Sequence, residues 1–391
     1  MYHVRRKGIK ATNQLREIST LCGEVYSKTL VTFWRIQRKK NIWLSKGAMQ
    51  KILKKKPGLH SQTVQACVDS FYNNLNAWRE KKKAGYKTAR PPKRLRKTFL
   101  IQYKGQCIRL KGGMLLLPNG RKGTTIKIPW RYEKPVTLSI KVNQSGAMLL
   151  ACYKVADPEK IREGTTVAID LGQIHLATTS DSWSVNGRKL RAYRRYQNKI
   201  KGRLASLQSK KSKGSKAWKR LSKSKVKVLT KLKNQISDIT HKATTGIVST
   251  LQRTGVKTLV LGDLVGLRED NNNGRLRNQE NHQWNFHQVA WQLTYKAARK
   301  GMQVETQGEH YTSSTCLICG KRTKTSSRNF KCSKCGYKVH RDILGAKNIL
   351  KKYLASQHSD LPVVGGMAPP RGIRLTPHAS VASGFSSIFL N

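Results

Sequence analysis

The sequence predicts a multidomain protein of mixed α/β and α+β class. It should contain a helical bundle, a small β-barrel, and an α/β domain interrupted near its end by a four-cysteine insertion. Three observations carry that expectation. Apolar residues recur at helical spacing through 12–38 and again through 61–79. From 98 to 153 the apolar period falls to two, with turn residues between short runs. From 165 to 354 strand-like and helix-like segments alternate, the pattern of a layered α/β domain.

In the N-terminal third, Leu15, Ile18, Leu21, Cys22, Val25, Leu30, Phe33 and Trp34 fall on one helical face. Val64, Cys67, Val68, Phe71, Leu75 and Trp78 repeat the pattern. The stretch 36–56 between them carries RIQRKK and KILKKK and reads as basic helix ends or loops. Residues 79–97 hold ten Lys or Arg around Pro91-Pro92, where a helix cannot continue, so they read as a basic connector. Strands are expected around 98–103, 106–111, 124–128, 135–141 and 147–153, turned by Gly112-Gly113, Asn119-Gly120 and Ser145-Gly146.

TTVAIDLG at 165–172 reads as a buried strand ending in Asp170, with HLATTSD at 175–181 and WSVNG at 183–187 as hairpin partners. Residues 188–233 hold nineteen Lys or Arg and no acid, and read as two basic helices packed antiparallel. A next helix is expected through 234–253, then a buried strand KTLVLGDL at 257–264 and a mobile loop through the Asn-, Arg- and Gln-rich 268–283. Phe286, Val289, Leu293 and Ala297 mark an amphipathic helix, MQVETQ at 302–307 a strand, and HRDILGAKNILKKYL at 340–354 a final helix. The tail from 356 is rich in Ser, Gly, Pro and Ala and is expected to be poorly ordered.

Charge narrows the function. The chain has 391 residues, with 78 Lys or Arg against 19 Asp or Glu, a formal charge of +59. That excess is far beyond what solubility needs and argues against a secreted hydrolase or a small-molecule enzyme. It points to nucleic acid, whose phosphates would neutralise the acid-free run at 188–233. No apolar run approaches the roughly eighteen residues of a membrane span, and MYHVRRKGIK lacks a signal-peptide core. A cytoplasmic protein with no membrane partner is expected, nucleoid-associated in a prokaryotic host.

Two constellations carry chemistry. Cys316-Leu-Ile-Cys319 and Cys332-Ser-Lys-Cys335 are C-x-x-C knuckles separated by twelve residues, each followed by a glycine, Gly320 and Gly336. Paired knuckles of this kind close a tetrahedral site, so a structural zinc is expected over a redox pair or two disulfides. Cys22, Cys67, Cys107 and Cys152 are scattered and read as buried small hydrophobes. The second constellation is acidic. Asp170 ends a buried strand and Asp342 opens a helix; singly, one is an ordinary turn residue and the other an ordinary cap. Together, in a chain this poor in acids, they read as metal ligands for phosphodiester cleavage.

Five motifs occur in order: D-L-G-x-x-x-L-A-T at 170–178, LVLGDL at 259–264, Y-T-S-S-T-C-x-x-C-G at 311–320, C-x-x-C-G at 332–336 and H-R-D-x-x-G-A-x-N-I at 340–349. With RPPKRLRKTFLI at 90–101, this set resembles the TnpB (OrfB) family of transposon-encoded RNA-guided DNA endonucleases, relatives of the type V CRISPR effectors. The resemblance covers about 90–354. It implies a wedge β-barrel at 1–11 and 90–155 with an inserted helical recognition domain at 12–89. It implies a RuvC-like RNase H fold at 156–310 and 340–354, a zinc-ribbon target-nucleic-acid insertion at 311–339, and a disordered tail at 355–391. It further implies a guide RNA, target double-stranded DNA, one structural zinc, and two catalytic magnesium ions held by three acids.

One motif departs from the family. Many members carry Glu where this chain has Gly262, and the adjacent Asp263 should point to the opposite face of its strand. Some members resemble this chain in having Gly there and an acid just before the Tyr-Thr-Ser of the zinc segment, the position of Glu309. The resemblance therefore makes Asp170, Glu309 and Asp342 the catalytic, magnesium-binding acids, against a bland reading of Glu309 as a solvated loop acid. Glu305, Glu269 and Asp270 are weaker candidates. Competing functional readings are a nuclease-dead RNA-guided DNA-binding regulator, a miniature type V CRISPR effector, and a zinc-ribbon transposase that ignores RNA.

Overall fold

The computed structural model describes residues 1–54, 58–94, 99–120, 123–143, 146–263, 274–325, 327–357 and 371–373. Its chain divides into two units, Met1–Ala156 and Asp157–Asn391.

The first unit runs β1 (Tyr2–Ile9), α1 (Asn13–Lys40), α2 (Lys46–Ile52), α3 (Ser61–Lys83), β2 (Ile101–Lys104), β3 (Arg109–Lys111), β4 (Met114–Leu117), β5 (Ile126–Pro129), β6 (Thr137–Asn143) and β7 (Gly146–Lys154). The expected barrel is built from two sheets, ordered β1-β7-β6-β2 and β3-β4-β5. Both contribute to one core, in which Ile101, Leu115, Leu138 and Leu149 meet Leu15, Ile18, Val64 and Cys67 from α1 and α3. Further along these helices, Tyr26, Phe33, Phe71 and Leu75 form a second, aromatic-rich cluster.

Three elements depart from the sequence reading. β1 has no alternating pattern because most of its residues are exposed, yet it pairs antiparallel with β7 from Tyr2 to Ile9. α2 lies inside the basic stretch read as helix ends or loops, and Ser45 caps it by accepting the Ala48 N–H at 3.2 Å. β4 follows directly on Gly112-Gly113, both in the left-handed region, so that pair turns β3 into an additional strand.

The second unit runs β8 (Thr165–Asp170), β9 (His175–Thr179), β10 (Trp183–Asn186), α4 (Arg188–Ser209), α5 (Lys216–Arg253), β11 (Val256–Asp263), α6 (Arg275–Gln283), α7 (Phe286–Ala298), β12 (Gln303–Gly308), β13 (Asn329–Lys331), β14 (Lys338–His340), α8 (Arg341–Ser356) and β15 (Arg371–Ile373). Its main sheet has the order β12-β11-β8-β9-β10-β15. β8, β9 and β10 are antiparallel neighbours, while β11 runs parallel to β8 and β12 parallel to β11.

Alternation along the two central strands sorts their side chains between two helical layers. Val167, Ile169, Leu259 and Leu261 pack in the cluster with Ile239, Ala243 and Ile247 of α5 and Leu293 of α7. Ala168 and Val260 face the other way, onto Ile349 and Leu350 of α8. A sheet buried on both faces explains why these strands read as continuous apolar runs. By the same alternation Asp170 and Gly262 belong to the α8 face and Asp263 to the opposite one.

The helices also differ from expectation. The run 188–253 forms two helices rather than three, because α5 continues unbroken for 38 residues. Its buried stripe of Leu232, Ile236, Ile239, Ala243, Ile247 and Leu251 carries the basic half directly into the core half. The mobile loop expected at 268–283 contains α6, tied to α4 by Glu280, which accepts from Arg191 at 2.8 Å and also pairs with Arg195. Residues 264–273 lie outside the described residues. Of the expected disordered tail, 358–370 and 374–391 also lie outside them, and Arg371–Ile373 adds a strand parallel to β10. Among the described residues, no helix is long and apolar enough to cross a membrane.

The cysteine segment docks on α8 through Asn348, a buried side chain whose Nδ2 donates to the carbonyls of Thr312 and Thr315, each at 2.7 Å. Asn348→Ala leaves both carbonyls without that donor and should cost about 2 kcal/mol. Denaturant unfolding should report the loss, with faster proteolysis inside 311–339; an unchanged midpoint would show that the docking does not depend on it.

Candidate functional site

Asp170 stands at the C-terminal end of β8, on the face covered by α8. A Cβ at position 345 of α8 would sit 2.6 Å from Asp170 Oδ2, so any other residue there would displace that carboxylate. Gly345 is three residues after Asp342, so both share one helix face. The α8 cap is His340, which removes the bland reading of Asp342 as an ordinary cap: His340 Nδ1 accepts the Asp342 N–H at 3.3 Å. The Asp342 carboxylate is left for tertiary contacts. Its Oδ2 lies 2.7 Å from His175 Nδ1 and accepts from Arg328 Nη1 at 2.9 Å.

Glu309 directly follows β12, whose last residue, Gly308, pairs with Asp263 at the end of β11. Its backbone is held by Thr312, whose N–H and hydroxyl both donate to the Glu309 carbonyl, at 3.1 and 2.9 Å. The side chain then turns across β11 and fills the space above Gly262. A Cβ at position 262 would collide with the Glu309 carboxylate and stand 2.7 Å from its Cγ. Glu309 Oε1 is buried and has no hydrogen-bond partner among the described residues.

Electrostatics binds these acids into one cluster. Burial, then the charge of Asp342, pushes the Asp170 carboxyl up to about 7, with Arg341 acting weakly against the shift. Burial, then Asp170, then Asp263, pushes Glu309 up to about 8. Burial also disfavours charge on Asp342, but the bond to His175 and the Arg328 guanidinium outweigh it and hold this carboxyl below its ordinary value. The exposed Asp263 therefore influences Glu309 without sharing its face. Glu305 is exposed on β12, and Glu269 and Asp270 lie outside the described residues.

The sequence reading missed His175, His340 and Arg328. Ligand atoms of His175, His340 and Asp342 lie within 4.8 Å of one another, so this side of the cluster also has metal-binding geometry. His340 was visible as the neighbour of Arg341-Asp342; His175 lies 167 residues from its partner and had no local signal.

All four predicted cysteines converge. Their sulfurs lie within 4.8 Å of one another, with Cys316–Cys335 and Cys319–Cys332 each at 3.5 Å. A tetrahedral zinc with bonds of about 2.3 Å sets sulfurs roughly 3.8 Å apart, so the cluster fits that ion. Gly320 and Gly336 have φ of 70° and 71° and donate to the carbonyls of Cys316 and Cys332, the turn that aims two sulfurs inward. The Cys335 backbone N–H foremost, and that of Lys334, pull the Cys332 thiol down to about 6. At Cys335 the Tyr337 backbone bond is outweighed by burial and the three other thiols, which push that thiol up to about 12, as expected of sulfurs crowded together without a cation. Cys22, Cys67 and Cys107 are buried as expected, and Cys152 is half-buried.

A sheet with three parallel-running neighbours, a hairpin and an acid cluster at strand ends defines a RuvC-like RNase H fold with a four-cysteine insertion. Comparison with known proteins agrees. Residues 150–268 match the OrfB family model described as a probable transposase, and 286–349 match the Cas12f1-like TNB domain. A TnpB-like protein of Methanocaldococcus jannaschii is 31% identical over 122 residues, 31% of this chain and 44% of that one. The putative RNA-guided DNA endonuclease InsQ of Escherichia coli is 26% identical over 195 residues, 47% of this chain and 48% of that one. The chain thus spans less than half the length of these relatives. In a solved Cas12f1–sgRNA–target DNA complex, the matched chain is 13% identical with a TM-score of 0.56, covering 85% of this chain and 81% of that one. Over these parts of its length the chain is similar to TnpB (OrfB) proteins and to Cas12f1.

The raised carboxyls give a pH test. Folded Asp170 and Glu309 titrate near about 7 and 8, against ordinary values of 3.8 and 4.5, so the folded state binds more protons between these limits. Stability should therefore fall as pH rises from about 5 to about 8. In buffer free of divalent ions, Glu309→Gln should melt higher than the parent at pH 8 and show a flatter pH profile. Superimposable profiles would mean that the acids do not repel.

Proposed function

We propose that the chain is the RNA-guided DNA endonuclease of a transposable element, acting in the cytoplasm on DNA complementary to a transposon-encoded guide RNA. The observation that carries this reading is the Glu309 carboxylate. It lies in the gap over Gly262 with Oε1 buried and unpartnered among the described residues, and after burial the charge of Asp170 is what most resists its ionisation. A chain with 78 cations could neutralise these acids with a lysine; it leaves them for a cation from solution. Hard oxygen ligands of this kind suit magnesium.

Asp170, Glu309 and Asp342 would hold two magnesium ions. When bound, the ions supply a nucleophile at neutral pH and charge stabilisation for the leaving oxygen. The remaining work falls to the chain. Gly262 and Gly345 keep side chains out of the acid cluster. His175 and Arg328 orient Asp342, and Thr312 fixes the backbone of Glu309. α4 and the first half of α5 offer acid-free basic surface for RNA and heteroduplex phosphates, while base pairing supplies target sequence. The segment 311–339 is read as the zinc-bearing target-nucleic-acid insertion, 12–89 as the recognition domain, 1–11 with 90–155 as the wedge, and 156–310 with 340–354 as the nuclease.

Outer-shell partners of a metal ligand are worth roughly 10–100-fold each. Loss of a direct ligand should exceed that. With guide RNA and magnesium in excess, Asp170→Ala and Glu309→Ala should bind matched DNA as the parent does and cleave it more than about 100-fold more slowly, while Asp263→Ala still cuts. Parental cleavage by Glu309→Ala would refute the relocated acid. A parent that binds but never cuts a matched target would leave the regulator reading, which Gly262 favours. For the cysteine cluster, Cys316→Ser or Cys332→Ser should lose one zinc per chain by elemental analysis and loosen 311–339, with little change in the first unit. Equal zinc content in variant and parent would reject the assignment.

A further inference from the structure

Tyr311 occupies a backbone position that a tyrosine does not favour. The Thr312 N–H donates to the Glu309 carbonyl at 3.1 Å and closes a four-residue turn, in which Tyr311 is third with φ of 63°. Glycine or asparagine is the ordinary occupant there, because a bulky side chain is strained in the left-handed region. The conformation is held from the C-terminal side. The Tyr311 carbonyl accepts the N–H groups of Ser314 and Thr315, each at 3.1 Å, and their hydroxyls at 3.1 and 2.8 Å. A strained residue that its surroundings over-determine in this way calls for a functional reason.

Burial does not explain the ring. Tyr311 is 59% exposed and belongs to none of the apolar clusters among the described residues. It is nevertheless covered on one side: the Arg322 guanidinium carbon lies 3.8 Å from the ring centroid. The first knuckle makes this pairing. Thr315 bridges antiparallel to Arg322, the Cys316 N–H donates to the Lys321 carbonyl at 3.0 Å, and the Thr323 N–H donates to the Ser314 carbonyl at 2.8 Å. Arg322 is itself exposed and has no ion pair among the described residues.

The position ties this pair to the acid cluster. Two peptide links separate Tyr311 from Glu309, so their Cα atoms lie at most roughly 7 Å apart. Further along the same segment, Arg328 Nη1 reaches Asp342 Oδ2 at 2.9 Å. A DNA strand whose phosphate reaches these acids therefore brings a neighbouring base close to Tyr311.

We propose that Tyr311 and Arg322 form a stacking platform for one nucleobase of the single DNA strand held at the acid cluster. The exposed ring and the guanidinium plane both offer a face to a base, and the guanidinium adds a cation for the adjoining phosphate. Every base has such a face, so the platform is indifferent to sequence, in keeping with base pairing as the source of specificity. It positions the strand and takes no part in bond breaking. The identity of the strand rests on the proposed nuclease function; the pairing of ring and guanidinium does not.

The test uses the full chain with its zinc and a single-stranded DNA of about ten nucleotides carrying 5-iodouracil, a base that crosslinks on irradiation to an aromatic ring stacked on it. With calcium in place of magnesium, peptide mapping should place the adduct on Tyr311, and Tyr311→Phe should retain it at position 311. Arg322→Lys keeps the charge and loses the plane, so the adduct yield should fall about fivefold while binding keeps the parental salt dependence. Tyr311→Gly should keep its zinc and melt no lower than the parent, since glycine adopts this φ without strain. Adducts that bypass Tyr311, a yield unaffected by Arg322→Lys, zinc loss in Tyr311→Gly, or an adduct formed only with the ribose counterpart would overturn the proposal. A mapped adduct in a chain that never cuts matched DNA would sink the nuclease reading and leave the platform in place.

Discussion

The acid cluster depends on a side chain that is missing. β11 is a central strand, and at Gly262 it presents bare backbone on the face covered by α8. Any other residue there would collide with the Glu309 carboxylate. The acid therefore arrives from the neighbouring strand instead of from β11 itself. The register makes this possible: Asp263 pairs with Gly308, so the next residue of the chain leaves the sheet beside the gap. A second glycine completes the arrangement, since Gly345 lets α8 approach Asp170 closely enough for Asp342 to raise its titration point.

This geometry couples the acid cluster to the cysteine segment. Glu309 precedes that segment, Arg328 within it reaches Asp342, and Asn348 of α8 holds its opening carbonyls. The paired knuckles supply the rigidity that so short a piece of chain cannot obtain from an apolar core alone; its buried cluster is small and includes Cys316 and Cys332. A disturbance of the sulfur cluster would therefore be felt at Asp342 through Arg328, while Asp170, anchored in β8, would keep its place.

Features whose cause is local were legible in the sequence. The C-x-x-C spacing, the two-residue period of β6 and β7, and the apolar runs of β8 and β11 each follow from neighbouring residues. That Glu309 would stand near Gly262 was expected from the resemblance, since some members pair a glycine there with an acid just before the Tyr-Thr-Ser, and its side chain does lie over Gly262. Features set by distant partners were not legible. β1 is mostly exposed and basic, and exists because β7 offers it an edge. α6 has one apolar residue in its sequence, Leu276, and the arginines that hold Glu280 lie 89 and 85 residues away. The continuity of α5 was hidden because a basic face and a buried face follow each other on the same helical stripe.

The placement of acids gives the clearest physical statement about function. In a chain with 78 cations and 19 acids, a carboxylate without a cation beside it is the exception to be explained. Glu280 follows the ordinary pattern, accepting from Arg191 and Arg195. Asp170 and Glu309 do not: neither has an ion pair among the described residues, and beyond burial Asp342 raises the titration point of Asp170 while Asp170 and Asp263 raise that of Glu309. Left alone, the pair destabilises the fold at neutral pH. Two neutral amides would remove that repulsion while retaining hydrogen-bonding capacity. Keeping the acids makes sense where the missing charge comes from outside the chain, which is the condition a divalent cation satisfies.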